Sequence, residues 1–263
     1  MRILITGHNG FIGSNLLKQL SVDQAGVFIK IEKDFLNQGD WKKRLSDHVN
    51  DVDIIFHIGA ISDTSLQSST EMLLYNYVFS KELFDLAQKY KKKVIYSSSA
   101  ACYGGGDGIP NNIYGWSKLL AEQYGMVKCD EFVALRYFNV YGPGENHKGK
   151  MSSVALQSWN GEINKLFPKN PKRDFVYIDD IISANIHAIN SPKGVYEVGS
   201  GEARTFEDVL VNMNLPYKYY SEDKIPEWYQ FYTKSDDSKW LPGWKPRYKL
   251  EDGIRKYKEY LNE

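Results

Sequence analysis

Three consecutive stretches decide the fold: Arg2-Ile-Leu-Ile-Thr6, then Gly7-His-Asn-Gly10-Phe11-Ile12-Gly13, then Ser14-Asn-Leu-Leu-Lys-Gln-Leu20. A short apolar run cut off at once by glycine suits a strand buried on both faces of a parallel sheet. The leucines of the third stretch recur at helical spacing. Between strand and helix stands GxxGxxG, a variant of the dinucleotide fingerprint. Its glycines permit a tight turn and a close approach of backbone to a pyrophosphate, and the free N–H groups at the helix start attract negative charge. A glycine trio alone is a weak signal, but here it has the strand and helix that the motif requires. Gly7, Gly10, Phe11, Ile12 and Gly13 are therefore expected to hold a dinucleotide.

Working outward, Val27 to Ile31 reads as a second strand, ending in Glu32-Lys33 some twenty residues beyond the glycine turn. A carboxylate there accepts hydrogen bonds from the adenosine ribose of NAD, whereas a cation holds the extra phosphate of NADP. Glu32 and Lys33 pull in opposite directions, and the cofactor is read as NAD or NADP, with NAD preferred. Asp53 to His57 is the next strand and runs into Gly59-Ala60-Ile61-Ser62. Small residues at the carboxyl end of a parallel strand mark the ligand edge of such sheets, so Gly59, Ala60 and Ser62 join the cofactor set. His57, inside the strand, is expected to be a packed core histidine. One long helix is predicted from about 71 to 90 and carries Asn76, also assigned to the cofactor side; Lys93 to Ser97 then forms another buried strand.

Strands alternating with helices predict an α/β protein, a doubly wound parallel (Rossmann) sheet with a smaller, discontinuous substrate-binding lobe. Residues 1–147 and 172–204 are assigned to NAD(P) binding, and 148–171 with 205–263 to the lobe. At 263 residues the chain is long enough for either one large unit or two modest ones. Its 33 basic and 33 acidic residues cancel, which argues against a nucleic-acid or membrane partner. Two cysteines make no disulfide framework, no metal-ligating motif is present, and no signal peptide or long apolar span is seen; a cytoplasmic protein is expected.

Tyr114-Gly-Trp-Ser-Lys118 places a phenol and an ammonium four residues apart, on one helix face. A tyrosine titrates near about 10 in isolation, and a neighbouring cation lowers that value. Alone, the pair is common by chance. It follows, however, a strand ending in Ser97-Ser-Ser99-Ala-Ala-Cys-Tyr-Gly104. TGHNGFIG, FHIGA, SSSAACYG and the YxxxK helix, in this order, resemble the extended short-chain dehydrogenase/reductases, the nucleotide-sugar epimerases and dehydratases. That resemblance implies a catalytic set of Ser99, Tyr114 and Lys118: Tyr114 exchanging a proton with the reacting hydroxyl, Ser99 hydrogen-bonding the same oxygen, Lys118 holding the nicotinamide ribose and lowering the tyrosine pKa.

In the second half, RYFNVYGPGENHKGKMSSVA, KRDFVYIDDI and WYQFYTKSD narrow the likeness to the ADP-glyceromanno-heptose 6-epimerase branch of that family. It implies that Lys148 is a second acid/base, and that Asn139, His147, Lys150, Arg173 and Tyr229, with Ser99, contact a nucleotide-sugar substrate. An arginine at such a site suits a diphosphate, since its planar fork binds two oxygens at once; the competing expectation is an ion pair with Asp174 or Asp179. A dehydratase of the family needs an Asp-Glu pair where this chain has Ala100-Ala101. The alternatives are a nucleotide-sugar 4-epimerase, which does without Lys148, and a catalytically silent NAD(P)-binding sensor or scaffold. A homo-oligomer is expected. The chain is shorter than those relatives near 33–50, 105–112 and 214–224, and Lys150 stands where they carry a small residue.

Overall fold

The computed structural model describes residues 1–23, 26–63, 68–105, 108–225 and 229–263; Gly106 and Asp107 of the glycine-rich loop and Trp228 lie outside them. The chain forms two compact units, Met1–Arg136 with Asn185–Tyr196, and Tyr137–Ala184 with Glu197–Glu263. Residues 137–147, 172–184 and 197–204, grouped above with the nucleotide-binding part, fall in the second unit. The cause is strand pairing, described below, that ties these stretches to one another.

In the first unit β1 (Arg2–Thr6), α1 (Phe11–Asp23), β2 (Val27–Ile31), α2 (Trp41–Asn50) and β3 (Ile54–His57) follow in order. Strand β1 pairs in parallel with β2 on one side and β3 on the other, so the chain reverses its direction of winding here. Ligands bind at such a switch point, beyond the carboxyl ends of the strands. The predicted long helix is present from Ser69 to Lys89 and contains a π-helical turn: α3 (Ser69–Leu73), the turn over Leu74–Val78, and α4 (Phe79–Lys89). Such turns recur at functional sites, and Asn76, buried at its centre, uses its amide on other segments. Strand β4 (Lys93–Ser99), α5 (Ile113–Lys128) and β5 (Phe132–Tyr137) complete the run. With β9 (Gly194–Val198) the six-stranded order is β2-β1-β3-β4-β5-β9.

The core of this unit follows from the apolar runs. Leu4, Ile55, Val94 and Ala134 of successive strands are fully buried, and the Phe84 and Phe132 rings meet edge to face at 5.1 Å. Each large apolar side chain so buried contributes about 1.5–3 kcal/mol relative to exposure.

The second unit is built around a three-stranded sheet in which β8 (Lys172–Tyr177) pairs in parallel with β6 (Asn139–Tyr141) and antiparallel with β10 (Ala203–Thr205). Its other elements are α6 (Val154–Trp159), β7 (Lys165–Leu166), α7 (Ile178–His187), α8 (Phe206–Met213), β11 (Lys218–Tyr219) and α9 (Leu250–Leu261). A capping box opens α8: the Thr205 hydroxyl accepts from the Asp208 N–H at 2.9 Å and the Asp208 carboxylate accepts from the Thr205 N–H at 2.8 Å. Asp180 does not cap α7 but is buried, accepting from the N–H groups of Arg247 and Tyr248 at 2.9 and 3.0 Å. The terminal helix docks its apolar stripe through Leu250, Ile254 and Tyr257. Among the described residues no helix is long and apolar enough to cross a membrane.

One glycine tests the packing of α5. A Cβ at Gly125 would lie 2.2 Å from the buried Phe132 ring. Gly125→Ala gains about 1 kcal/mol of helix propensity, but overpacking a closed core costs about 1–3 kcal/mol, and this overlap is deep. The substitution is expected to lower the urea midpoint; an unchanged or higher midpoint would show that the ring moves freely.

Candidate active site

The glycine turn closes as its sequence requires. Gly7 has a φ of 67°, and a Cβ on it would sit 2.5 Å from the Gly59 Cα, while a Cβ on Gly13 would sit 2.0 Å from the Gly7 carbonyl oxygen. These contacts are backbone to backbone, so a side chain at either position would force the turn apart. The Gly10 N–H donates to the Gly7 carbonyl at 3.1 Å and α1 starts at Phe11. Phe11 itself is buried and offers only its backbone, and Ile12 is partly buried. Ala60 and Ser62 are exposed beyond β3. This turn of apposed glycines, opening directly into the start of α1, fits the pyrophosphate of a dinucleotide.

The two residues after β2 part company. Glu32 stays at the turn, accepting from the Asn9 N–H at 2.7 Å, with His8 Nδ1 2.9 Å away. Lys33 pairs with Glu71 at 2.7 Å and lies over the Tyr75 ring at 4.6 Å. The carboxylate rather than the ammonium stands against the glycine turn, which favours NAD over NADP.

Asn76 departs from its expected place as a cofactor contact. It is 1 % exposed, its Oδ1 accepts from the Ile61 N–H at 2.7 Å, and its Nδ2 donates to the Ile61 carbonyl at 2.9 Å and to Ser117 Oγ at 3.0 Å. With its amide saturated inside the protein, it holds the segment after β3 against α5.

Ser99, Tyr114 and Lys118 do come together. Asn112 caps α5, its side chain accepting from the Gly115 N–H at 2.8 Å. Tyr114 hydrogen-bonds Ser99, and one turn on Lys118 Nζ lies 3.5 Å from Ser97 Oγ and 4.3 Å from the centre of the Tyr96 ring. Serines two apart on a strand thus meet side chains four apart on a helix. The pKa of Tyr114 is not lowered as expected: burial pushes it up to about 12, with the Ser99 hydrogen bond acting the other way. Burial also brings Lys118 down to about 7, against smaller upward pulls from Cys102 and Glu122. In a dry site desolvation outweighs the attraction between neighbours, because each group is penalised for its own charge.

Glu122, the next residue on that face of α5, is fully buried and was not singled out in the sequence. It accepts from Arg136 at 2.9 and 2.5 Å and from Ser98 Oγ at 2.6 Å, and the Arg136 guanidinium covers the Tyr103 ring at 4.6 Å. The pair fixes α5 to β5, and the Ser98 hydrogen bond ties it to the end of β4; Glu122 was detectable as the third member of a Tyr-Lys-Glu series at intervals of four.

In the second unit Arg173 is 8 % exposed, between the rings of Phe206 and Tyr229 at 5.5 and 5.3 Å. Neither expected ion pair forms. Asp174 accepts from Ser200, Gly201 and Ser235, Asp179 pairs with Lys256, and Arg173 donates to the Lys172 carbonyl at 2.9 Å. Among the described residues Arg173 makes no ion pair, and burial draws its pKa down. Such a cation suits a bidentate anion. Lys148 is partly buried with a lowered pKa, set by burial and opposed by Glu145, whose carbonyl accepts from the Lys148 N–H at 2.9 Å. Glu145 itself is fully buried and accepts from Ser153 Oγ at 2.6 Å and the Tyr257 hydroxyl at 3.0 Å, so it anchors the loop. Asn139, His147 and Lys150 are exposed.

Residues 3–199 match the NAD dependent epimerase/dehydratase family. An ADP-L-glycero-D-manno-heptose-6-epimerase of Brachyspira hyodysenteriae is 33% identical, over 99% of this chain and 98% of its own length. That alignment spans 312 positions, more than the 263 residues here, so the relative carries segments that this chain lacks. Among solved structures, the Helicobacter pylori ADP-L-glycero-D-manno-heptose-6-epimerase superposes with a TM-score of 0.86 at 29% identity, covering 99% of this chain and 96% of that one. The Bacillus cereus UDP-glucuronic acid 4-epimerase, solved with UDP-glucuronic acid and NAD, has a TM-score of 0.82 at 25% identity, covering 100% and 99%.

Burial of Lys118 has a consequence for stability. An unfolded lysine titrates near 10.5 and this one near about 7, so between those values the unfolded chain holds a proton that the folded chain does not. Stability from this group therefore rises with pH across that window, and the full cost of burying the charge is present below it. Lys118→Met in nucleotide-free protein is expected to melt above wild type at pH 6, with the gap closing toward pH 10. Melting curves across that range check this; a gap independent of pH would show that Lys118 is not buried as a charge.

Proposed function

Because the chain belongs to the NAD dependent epimerase/dehydratase family, we propose that it epimerises a nucleotide-activated sugar, ADP-glyceromanno-heptose at carbon 6, through a transient keto sugar. The observation that carries this reading is the Ser99–Tyr114 hydrogen bond, with Lys118 buried one turn along the same helix. NAD, when bound, accepts the hydride of the carbinol and returns it to the other face, so the reaction has no net redox change.

In this reading Gly7, Gly10, Gly13 and the start of α1 hold the pyrophosphate and Glu32 the adenosine ribose. Lys118 takes the nicotinamide ribose. Tyr114 takes the proton of the reacting hydroxyl and gives it back, and Ser99 hydrogen-bonds the same oxygen. Its raised pKa keeps Tyr114 a phenol by default, ready to donate; to accept the proton it needs positive charge beside it, which a protonated Lys118 supplies. An enzyme acting on both configurations of one carbon must handle protons in two orientations, and Lys148 is assigned the second acid/base role. Its lowered pKa brings it nearer the working range of such a group. Arg173, a buried cation between two rings, is assigned the substrate diphosphate, with Tyr229 beside it. Asn139, His147 and Lys150 remain candidate sugar contacts on the exposed edge of their unit. The enzyme is read as a cytoplasmic homo-oligomer.

Ala100 and Ala101, where a dehydratase needs an acid and a base, support epimerisation over elimination. The second reading, a 4-epimerase of UDP-sugars, is favoured by the likeness to the Bacillus cereus enzyme.

Proton NMR of ADP-glyceromanno-heptose and of UDP-hexoses incubated with the protein separates these readings: inversion at carbon 6 is expected, and inversion only at carbon 4 would replace the first reading with the second. Inversion of no nucleotide sugar despite bound NAD would favour a sensor. Tyr114→Phe is expected to cut turnover by about 10²–10⁴ while NAD still copurifies, the range for loss of a general acid/base; wild-type turnover in that variant would remove the central claim. Lys148→Met should slow inversion at carbon 6 by about 10² or more, and an unchanged rate would strip Lys148 of its role.

A further inference from the structure

We infer that His57 is a positioning residue: a neutral imidazole carrying its proton on Nε2, which ties the cofactor turn at Gly59 to the first turn of α5 at Tyr114. The polarity of its neighbours leaves one arrangement of protons. Ser80 Oγ lies 2.6 Å from the Asn76 carbonyl oxygen and 2.7 Å from His57 Nε2. A carbonyl only accepts, so the single serine proton points to it, and Nε2 must donate to the serine. On the opposite side of the ring Thr6 Oγ1 accepts from the Gly59 N–H at 2.9 Å and stands 2.8 Å from His57 Nδ1. With Nε2 holding the one proton of a neutral ring, Nδ1 is a bare lone pair and takes the Thr6 hydroxyl proton.

The chain continues past Ser80. Asn76, whose carbonyl takes the serine proton, donates through its side chain to Ser117 Oγ at 3.0 Å, and Ser117 donates to the Tyr114 carbonyl at 2.8 Å. Every donor in the series meets an acceptor, and reversing the histidine would oppose two donors at Thr6 and two lone pairs at Ser80. Protonating the second ring nitrogen would likewise strand the threonine proton. The ring is fully buried among Phe79, Phe84 and Tyr96, with centroids 5.7, 5.7 and 5.5 Å away. Burial and the nearby Lys118 both oppose a charge there, and the pKa falls to about 3.

Both ends of this chain lie at the site. The Gly59 N–H held by Thr6 belongs to the residue whose backbone lies against Gly7, where no side chain fits. At the far end the Tyr114 carbonyl belongs to the residue assigned the proton transfer. Cutting the chain at His57 should therefore loosen the cofactor turn and misplace the phenol together. This inference rests on the reading that NAD binds at the glycine turn and that Tyr114 handles the proton.

The ring itself is tested by nitrogen-15 NMR of labelled wild-type protein: His57 should show a pyrrole-type Nε2 and a pyridine-type Nδ1, unchanged between about pH 5 and 8. A proton on Nδ1, or titration in that range, overturns the assignment without reference to activity. His57→Phe keeps the packing and removes both hydrogen bonds. It is expected to weaken NAD binding about tenfold, the scale of one unsatisfied buried hydrogen bond, and to lower kcat with the KM for the nucleotide sugar unchanged. Should that variant not fold, Thr6→Val cuts the chain on the Gly59 side with the same expected loss. A fall in Tm with NAD affinity and kcat unchanged overturns the positioning role. Failure of wild-type protein to bind NAD would instead overturn the functional reading, leaving the tautomer result to stand by itself.

Discussion

Two peptide backbones touch where β1 and β3 end. A Cβ added at Gly7 would meet the Gly59 Cα at 2.5 Å, and one added at Gly59 would meet the Gly7 nitrogen at 3.0 Å. Gly7 has room only for hydrogen there, and a Cβ on Gly59 would press on the same contact. It is possible because β1 pairs with both β2 and β3, so the strands on either side of the switch point deliver their turns to the same place. The start of α1, the Glu32 carboxylate and the Thr6–Gly59 hydrogen bond are all arranged around this approach. A larger residue at either position would remove the cradle and the sheet edge together.

Around that contact, burial rather than pairing sets the electrostatics. The tyrosine and the lysine of α5 are both shifted toward their neutral forms, Tyr114 upward and Lys118 downward. Desolvation acts on each charge separately and is not repaid when the partner is also uncharged. Further along α5, Glu122 accepts two hydrogen bonds from the Arg136 guanidinium and one from Ser98, so its lone pairs are met from both sides. Breaking such a pair by removing one partner leaves an uncompensated buried charge, which costs about 3–5 kcal/mol. It works as an anchor for α5.

The second unit uses buried carboxylates in the same way. Asp174, Asp180 and Glu145 are each fully buried and each spends its oxygens on backbone N–H or hydroxyl donors from other segments. Asp174 lies on β8 beside Arg173, and Glu145 opens the segment that carries Lys148. Because Asp174 is committed to Ser200 and Ser235, the adjacent Arg173 is left between aromatic rings, where a carboxylate or phosphate from outside would be strongly favoured.

Much of the fold could be read from the chain alone. Glycines after an apolar strand have a local cause, the positive φ of Gly7 and its close contacts, and local causes are visible in order along a sequence. The strand ends and the Tyr114–Lys118 pair were legible for the same reason: each depends on residues within a turn or two. What the sequence could not settle depended on neighbours far apart in the chain. The π turn inside the long helix at Asn76 answers to Ile61 and Ser117, and the upward shift of Tyr114 answers to burial by distant segments. The grouping of 137–147 with the second unit follows from β6 pairing with β8. The protons of His57 are the clearest case. The sequence determined that a histidine ends a buried strand. Only the tertiary structure, by setting a serine bonded to a carbonyl on one side and a threonine bonded to Gly59 on the other, decided which nitrogen carries the hydrogen.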